Sequence, residues 1–598
     1  MKHSSASVGA MLAGFSSVAK TTYRAAPGAV AFKLAGAVIT SVLPLLTTYF
    51  AALTTTKLAD AYAGSQAAGG EALVFVVVTA SLGIALSVWQ SVQNYIDELV
   101  NYKVNAAVSD RLYRHFVCIE YWLYDDKKTV DMFDKAQNFT LFFARFFDVL
   151  ARIFGSAITI VISVGALLFT DWRIGLLIIV SIIPSAIVQL KLSRLQAAHW
   201  RNNTETRRRM TGIFYNVFQP MNLAELRVYN AAKYMLELYA YYRDKDKLER
   251  IKYERQYLVR RLFADIGEAV AELTALIIVA VQIINRTQPI GQFIYVQQLV
   301  SRSLSAMHTL SSELNGIDEE LVTMQDYESF MKLKPLKNGA KQLTGPPNQI
   351  TFEKVNFSYP TNDVPVLHNI SLTIHKGQHI AIVGENGAGK STLIKLFMGL
   401  YQPTSGTVSI DGTALADYDE ESWHSYLGVL QQDYMRYYFS TVKENITYGD
   451  VQNPYNEERY NRAIEMAEAA HFIHKLPRKD ETHPSQWYEH DDGTKGVELS
   501  GGQWQRLALA RNFYRDAQFI VLDEPTSAID ALAESRIFSR LFALKDKTII
   551  TVSHRLTTVK RADVIYVIQD GSIVETGTYS DLIARKGRFY TIFESQIT

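Results

Sequence analysis

Apolar residues are distributed in two different ways along the chain. Between residues 30 and 315 they gather into long stretches, and after residue 350 they form short runs set among turns and amphipathic segments. A helix that crosses a bilayer needs about 20 mostly apolar residues. The stretches 34–53, 72–92, 146–170, 174–190, 266–284 and 291 to about 312 reach or approach that length. Only Asp171-Trp172-Arg173 separates the third from the fourth; the fifth begins among carboxylates, and the sixth is rich in Gln and Ser. Runs this long and this closely spaced are unlike the core helices of a soluble protein, so the pattern predicts six membrane-spanning helices.

Basic residues orient such helices, because cytoplasmic segments carry the excess of Lys and Arg. The segment after the second stretch carries Lys103, Arg111, Arg114, Lys127, Lys128 and Lys135, and the one after the fourth runs from Arg207-Arg208-Arg209 to Arg260-Arg261. Those after the first, third and fifth carry about one basic residue each: Lys57, Arg173 and Arg286. Both termini and the two long segments are therefore expected in the cytoplasm. Residues 1–33 lack a separate apolar core with a small-residue cleavage site and read as a cytoplasmic lead-in. Apolar and aromatic residues recur at helical spacing from Ala224-Glu225-Leu226-Arg227-Val228-Tyr229 on to Leu258, so the spans are expected to continue beyond the bilayer as helices. Residues 121–136, with Asp125-Asp126 and Asp131-Met132-Phe133-Asp134, predict a turn plus a short helix.

Overall composition adds exclusions. With 61 basic and 60 acidic residues the net charge is +1, which offers no field for nucleic acid. One cysteine, Cys118, excludes a disulfide framework and a cysteine-rich zinc site. Among aromatic and aliphatic neighbours it reads as a small buried hydrophobe.

Pro335, Pro346 and Pro347, among several Lys, mark a linker over 332–349. Beyond it, His379-Ile380-Ala381-Ile382-Val383 reads as a short buried strand. It runs directly into Gly384-Glu385-Asn386-Gly387-Ala388-Gly389-Lys390-Ser391, and a helix follows over 392–398. Gly, four residues, then Gly-Lys-Ser between strand and helix is the phosphate-loop pattern. Its glycines let backbone N–H groups turn in around a phosphate, and the helix N-terminus, opening at Thr392, adds its dipole. Lys390 is placed to neutralise the β and γ oxygens, and the Ser391 hydroxyl to ligate Mg²⁺. A second constellation, Phe519-Ile520-Val521-Leu522-Asp523-Glu524, is an apolar strand ending in two carboxylates. Asp523 is placed to hold Mg²⁺ through water and Glu524 to polarise the attacking water. ATP and Mg²⁺ are thus the expected ligands. The expected architecture is multidomain: the lead-in 1–33, an all-α six-helix transmembrane domain 34–331, the linker 332–349, and an α/β phosphate-loop NTPase domain 350–598.

Leu499-Ser500-Gly501-Gly502-Gln503, ahead of that second strand, resembles the signature of ATP-binding cassette (ABC) transporters. The resemblance implies that Ser500 and the amides of Gly501 and Gly502 face the γ-phosphate of ATP held by another copy, so that the site is complete only at a dimer interface. It also implies roles for four more residues. Tyr359 would stack on adenine; Gln432, in Gln431-Gln432-Asp433, would sense Mg²⁺ and the attacking water. His554, in Val552-Ser553-His554-Arg555, would be the switch histidine on the γ-phosphate, and Asp530, in Ser527-Ala528-Ile529-Asp530, would lie in the loop coupling the two sites. Ile529 stands where most relatives have Leu, a volume-conserving change expected to be neutral. Six spans followed by one such domain resemble an ABC exporter half-transporter. Two copies would give twelve spans and two composite sites, and would couple ATP hydrolysis to export by alternating access across the cytoplasmic membrane. The implied partners are a second half-transporter (a homodimer, with a heterodimer left open), the exported molecule and the bilayer. Soluble ABC proteins of translation or DNA repair match only the second half, and the apolar runs exclude them.

Residues 498–517, with Trp504 after the signature and Phe513-Tyr514-Arg515-Asp516-Ala517 beyond it, resemble exporters of modified peptides of the lantibiotic type. Phe133-Asp134 and the run ending at Tyr229 are similar to cytoplasmic segments of that group. A peptide or an amphipathic, cationic compound is therefore the expected cargo; a lipid or glycolipid flippase and a membrane-bound regulatory ATPase are the alternatives. With about 30 residues ahead of the first span, the N-terminal cysteine peptidase domain of some peptide exporters is not expected, nor is leader cleavage. In the fifth span Asp265, Glu268 and Glu272 share one helix face. A carboxylate at the bilayer centre costs about 2.5–3.5 kcal/mol on insertion scales, so Glu268 and Glu272 are expected to line the translocation cavity and favour a cationic cargo. The alternative is a cytoplasmic extension in which Asp265 and Glu268 pair with Arg260 or Arg261.

Overall fold

A computed structural model of the chain describes residues 20, 23–24, 27–219, 222–362, 364–525 and 528–597; most of the expected lead-in lies outside them. Two compact units result, one of residues 1–118 and 128–333, the other of residues 119–127 and 334–598.

The first unit is helical. Its long helices among the described residues are α1 (Pro27–Tyr62), α2 (Gln66–Cys118), α3 (Lys127–Thr170), α4 (Trp172–Asn202), α7 (Ala231–Ile284) and α8 (Gly291–Met331), with the short α5 (Thr204–Gly212) and α6 (Leu223–Val228) between α4 and α7. Each apolar stretch of the sequence falls within one long helix. Among the described residues four segments, Ala31–Tyr62, Gln66–Cys118, Asp148–Thr170 and Ala231–Ile284, are long and apolar enough to cross a membrane; Trp172–Val188 is apolar but shorter, and α8 is more polar. Burial along α2 changes character halfway. In its second half Val100, Val104, Val108 and Leu112 form a buried stripe at four-residue spacing, while in its first half Leu73, Val77, Ile84 and Val88 are exposed. An apolar surface that broad is costly in water and suits lipid. Leu167, Ile178, Ala275, Val279, Val296 and Leu299 form the packed centre of the unit. Near the start of α1 the buried Lys33 pairs with Asp97, at 3.2 Å, and with Asp148, joining α1 to α2 and α3.

The helical unit departs from three of the sequence expectations. Residues 131–134 are not a separate short helix: after one turn at Tyr121–Tyr124, α3 runs unbroken for 44 residues from Lys127. The helical run from Ala224 is interrupted, because α6 stops at Val228 and Asn230 takes φ 54°, a left-handed conformation that Asn tolerates, before α7 begins. Cys118 is exposed, not buried. It closes α2 two positions off the four-residue stripe that ends at Leu112, so its side chain leaves the packed face.

The second unit is α/β. A four-stranded antiparallel sheet has the order β2-β1-β4-β5, with β1 Gln349–Ser358, β2 Pro365–His375, β4 Ser405–Ile410 and β5 Thr413–Ala414. A six-stranded sheet has the order β10-β9-β3-β8-β7-β6. Its strands are β3 (His379–Val383), β6 (Leu427–Leu430), β7 (Phe519–Asp523), β8 (Thr548–Val552), β9 (Val564–Gln569) and β10 (Ser572–Gly577). All of its pairs are parallel except β9 with β10. Every residue of β3 and of β8 is buried, as central parallel strands covered on both faces require. One core lies between the two sheets around Phe352, Ile382, Phe397 and Phe519, and a second covers the other face around Ile464, Trp504, Leu507 and Leu522. Trp504, read above as a subfamily feature, is thus a core residue.

Residues 119–127 belong to this unit although they follow α2 in the chain. Ile119 bridges Pro335, the Tyr121 ring packs edge-on against Tyr401 at 5.4 Å, and the Tyr401 hydroxyl donates to Asp125. Lys395 lies 3.9 Å from Asp125, and 5.9, 5.6 and 5.6 Å from the ring centres of Tyr121, Tyr359 and Tyr401. Burial and the Asp125 contact push the Tyr401 phenol well above its ordinary value, so it stays a donor. The stretch expected to be a linker is likewise pinned: Lys341 exchanges backbone hydrogen bonds with Asp417 and Asp419.

Candidate nucleotide site

Parallel register assembles the site. Val552 of β8 pairs with Ile382 of β3 on one side and with Asp523 of β7 on the other. The segments that leave these three strands at their C-terminal ends therefore start level with one another, where ligands of open α/β sheets bind. They are the phosphate loop, Asp523-Glu524 and the His554 segment.

The loop is shaped by its glycines. Gly384, Gly387 and Gly389 have φ of 159°, 83° and 100°, and at Gly389 a Cβ would come within 2.7 Å of the Leu367 side chain. That backbone delivers the chain into α9 (Lys390–Phe397), so the N-terminus of a helix faces the loop. Lys390 is buried, and its Nζ donates to the carbonyls of Gly384 and Glu385 at 2.8 Å each. Burial lowers its pKa, opposed by the charges of Glu524 and Asp523. Asn386 and Ala388 complete the turn between the glycines, and Glu385 pairs with Arg588.

The Ser391 hydroxyl donates to Asp523 Oδ2 at 3.2 Å. Burial raises the Asp523 carboxyl above the usual carboxylate range, and the Ser391 bond opposes it. Among the described residues no cluster of three His, Cys, Asp or Glu is placed to hold a metal alone. One hydroxyl and one half-buried carboxylate beside a phosphate loop do fit Mg²⁺, which takes few protein oxygens and fills its shell with phosphates and water.

Glu524 follows β7 with φ 48°, a left-handed conformation that costs a non-glycine residue about 1–3 kcal/mol and is held here from both sides. Its N–H donates to the Val552 carbonyl at 3.0 Å, and its carbonyl accepts from Gln505 Nε2 at 3.3 Å. His554 Nε2 lies 3.4 Å from its carboxylate. Burial, then the Lys390 charge, holds the His554 imidazole below the ordinary histidine value. His554 Nε2 is itself shut off from solvent without a hydrogen-bond partner among the described residues. Lys390, Asp523, Glu524 and His554 thus form one charged cluster beside the loop.

Other expected residues lie further out. The Tyr359 hydroxyl meets Thr392 Oγ1 at 2.9 Å, which ties the aromatic expected at adenine to the first turn of α9. Leu430 of β6 pairs with Leu522, so Gln432 leaves β6 level with Glu524. It is exposed and makes no hydrogen bond to the site among the described residues.

Ser500 caps α10 (Gly501–Arg515): its hydroxyl accepts from Gln503 N–H, and Gln503 Oε1 accepts from Ser500 N–H. This reciprocal cap leaves the Ser500 O–H proton free to donate outward at an exposed helix N-terminus. Gly502 has to be glycine, since a Cβ there would lie 2.6 Å from the Ala528 carbonyl. Asp530 caps α11 (Ala531–Leu541) and pairs with Arg506 of α10 at 2.7 Å. The Ala533 backbone bond holds the Asp530 carboxyl below its usual value. No hydrogen bond or ion pair among the described residues joins the signature to the phosphate loop.

Three contributors were not singled out from sequence. Gln505, buried at 2% exposure, donates to the Glu524 carbonyl and accepts from Ala528 N–H at 2.9 Å, linking α10 to the carboxylate strand. Its place two residues past the signature was the only available hint. Gln505→Ala leaves these backbone groups short of partners and should lower stability by about 1–3 kcal/mol; thermal unfolding of the full chain in detergent measures it. The other two lie on α12 (Arg588–Ile597), where Arg588 holds Glu385, and Gln596 bonds the His554 carbonyl and Leu556 N–H.

Glu268 and Glu272, expected to meet cargo, both line a cavity of the first unit. Of the pairings in the alternative reading, Asp265 does lie 3.8 Å from Arg261, but Glu268 pairs with His308 instead of an arginine.

Residues 367–527 match the family described as ABC transporter. The chain is 30% identical over 436 residues to the subtilin transport ATP-binding protein SpaT of Bacillus subtilis, across 72% of this chain and 69% of that one. It is 41% identical over 264 residues to a putative multidrug export ATP-binding/permease protein of Staphylococcus aureus, 44% of each chain. The solved structure of a bacterial Atm1-family ABC exporter with ATP bound has the same fold, with a TM-score of 0.74 over 95% of this chain and 98% of that one at 22% identity.

Proposed function

The chain belongs to the ABC transporter family, as a multi-pass membrane exporter with its ATP-hydrolysing domain in the cytoplasm, and we propose that two copies of it export a modified peptide. The observation that carries the peptide reading is the similarity to the subtilin transport protein, which extends over more than two thirds of both chains. The match to the multidrug exporters is shorter.

In this reading the loop amides of 384–391 and the Lys390 ammonium hold the triphosphate of ATP, and the Tyr359 ring faces its base. Glu524 accepts a proton from the attacking water, and His554, neutral at pH 7 because its pKa lies below the ordinary value, holds Glu524 and the terminal phosphate in line. Bound Mg²⁺, held by Ser391 and Asp523, would offset charge on the phosphate oxygens. The Ser500 hydroxyl and the N–H groups of Gly501 and Gly502 in the partner close over the same triphosphate, with Gln503 and Asp530 keeping that helix end and its neighbour in shape. Closure of two such sites supplies the work of export, and residues 119–127, fastened to Tyr401 and to Lys395 of α9, are the segment best placed to carry it.

Reconstitution of the dimer in inside-out vesicles tests the reading. ATP-dependent accumulation of a labelled cationic peptide is the expected result. Movement of a labelled lipid without the peptide would contradict it and favour a flippase.

A further inference from the structure

We propose that the cavity between α4, α7 and α8 binds a positively charged group of the cargo, an ammonium or guanidinium carried on an apolar chain, through Glu268 and Glu272. The proposal rests on the export function above and specifies the chemistry of what is exported.

The cavity measures 570 Å³, within the range of small-molecule sites. Asp265, Glu268 and Glu272 line it from one face of α7, and Val188 of α4 and Leu304 of α8 supply apolar wall. The carboxylates are not equally compensated. Asp265 has Arg261 at 3.8 Å, and Glu268 Oε2 has His308 Nε2 at 3.0 Å. Glu272 has no ion pair or hydrogen bond among the described residues, so the cavity carries a surplus of negative charge.

Glu268 points more directly to a ligand. It is 4% exposed, and its Oε1 is closed off from solvent with no hydrogen-bond donor among the described residues. A buried acceptor in that condition is costly, and most costly when charged. His308 satisfies one oxygen only, and its side chain is half exposed, so it can swing aside or share Glu268 with an incoming donor. A ligand ammonium has three N–H donors and a guanidinium five, enough to meet Glu268 Oε1 and Glu272 together. A neutral analogue of the same shape would leave both unpaired, which is how a polar site rejects a ligand that lacks the matching group.

The test is equilibrium binding to the full-length dimer in lipid nanodiscs, without nucleotide. The probes are a fluorescent amphipathic peptide containing lysines and the same peptide with every lysine acetylated. The wild type should bind the lysine form about tenfold or more tightly than the acetylated form. In Glu272→Gln, a half-exposed position where the amide keeps the shape, that ratio should fall close to one. His308→Ala, which leaves Glu268 to the ligand alone, should keep the preference for lysine. Equal binding of the two peptides by the wild type, no binding of either, or an undiminished preference in Glu272→Gln would each overturn the proposal. Basal ATP hydrolysis and vesicle transport by the same preparation separate the two readings: their loss speaks against the export function, whereas transport combined with equal binding removes only the acidic cavity.

Discussion

Glu524→Gln should leave ATP binding intact and lower the turnover rate by about 10²–10⁴-fold, the usual worth of a positioned general base. The substitution keeps the side chain's size, and the groups that hold the residue in its left-handed conformation are backbone contacts to Val552 and Gln505, which it does not touch. Only the ability to take a proton is lost. Lys390 and the loop amides are unaffected, so nucleotide should be retained without being cleaved and the two copies should stay closed on it. Steady-state hydrolysis, paired with a count of nucleotide retained after gel filtration, reads both halves of this expectation. Normal hydrolysis by the variant would remove Glu524 from the mechanism.

Lys390→Ala should act one step earlier. Its ammonium is buried among the loop carbonyls of Gly384 and Glu385, with Asp523 and Glu524 as the nearby opposing charges. Without it the triphosphate loses charge-assisted hydrogen bonds worth about 1.5–3 kcal/mol, or about tenfold to 100-fold in affinity. The cluster also keeps two carboxylates facing the phosphates with no cation of its own. Titration with a fluorescent ATP analogue should therefore show weakened binding, and hydrolysis at ordinary ATP levels should fall with it. The contrast is diagnostic: Glu524→Gln binds without turning over, whereas Lys390→Ala binds ATP more weakly.

The nucleotide site was the most legible part of the chain because its chemistry restricts residue type and spacing together. A phosphate cradle needs glycines at positive φ followed at once by Lys390 and a helix, and a strand of the central sheet needs an unbroken apolar run before Asp523. Both signals lie within a few neighbouring residues. The long helices were legible for a similar reason, since lipid demands continuous apolar length. What escaped depended on contacts between distant residues. His308 stands 40 positions from Glu268, and nothing in either neighbourhood announces the pair. Gln596 and Arg588 reach the site from α12 through hydrogen bonds that leave no periodic trace. Cys118 was misplaced because apolar neighbours in sequence say less about burial than position on a helix face, and the buried stripe of α2 passes it by. The break at Asn230 hid in a run with good helical spacing, because one residue in a left-handed conformation interrupts a helix without disturbing its hydrophobic pattern.

The central claim is that each ATP is held by the phosphate loop of one copy and the signature helix of another, and mixed dimers test it most directly. One chain carries Lys390→Ala and the other Ser500→Arg; two different affinity tags isolate the dimer that contains one of each. In that dimer one composite site joins both defects and the other joins an intact Lys390 to an intact Ser500. Neither variant should hydrolyse ATP as a homodimer, while the mixed dimer should recover substantial turnover from its one intact site. A Ser500→Arg homodimer as active as the wild type, or a mixed dimer as inactive as either parent, would contradict a site shared between two chains.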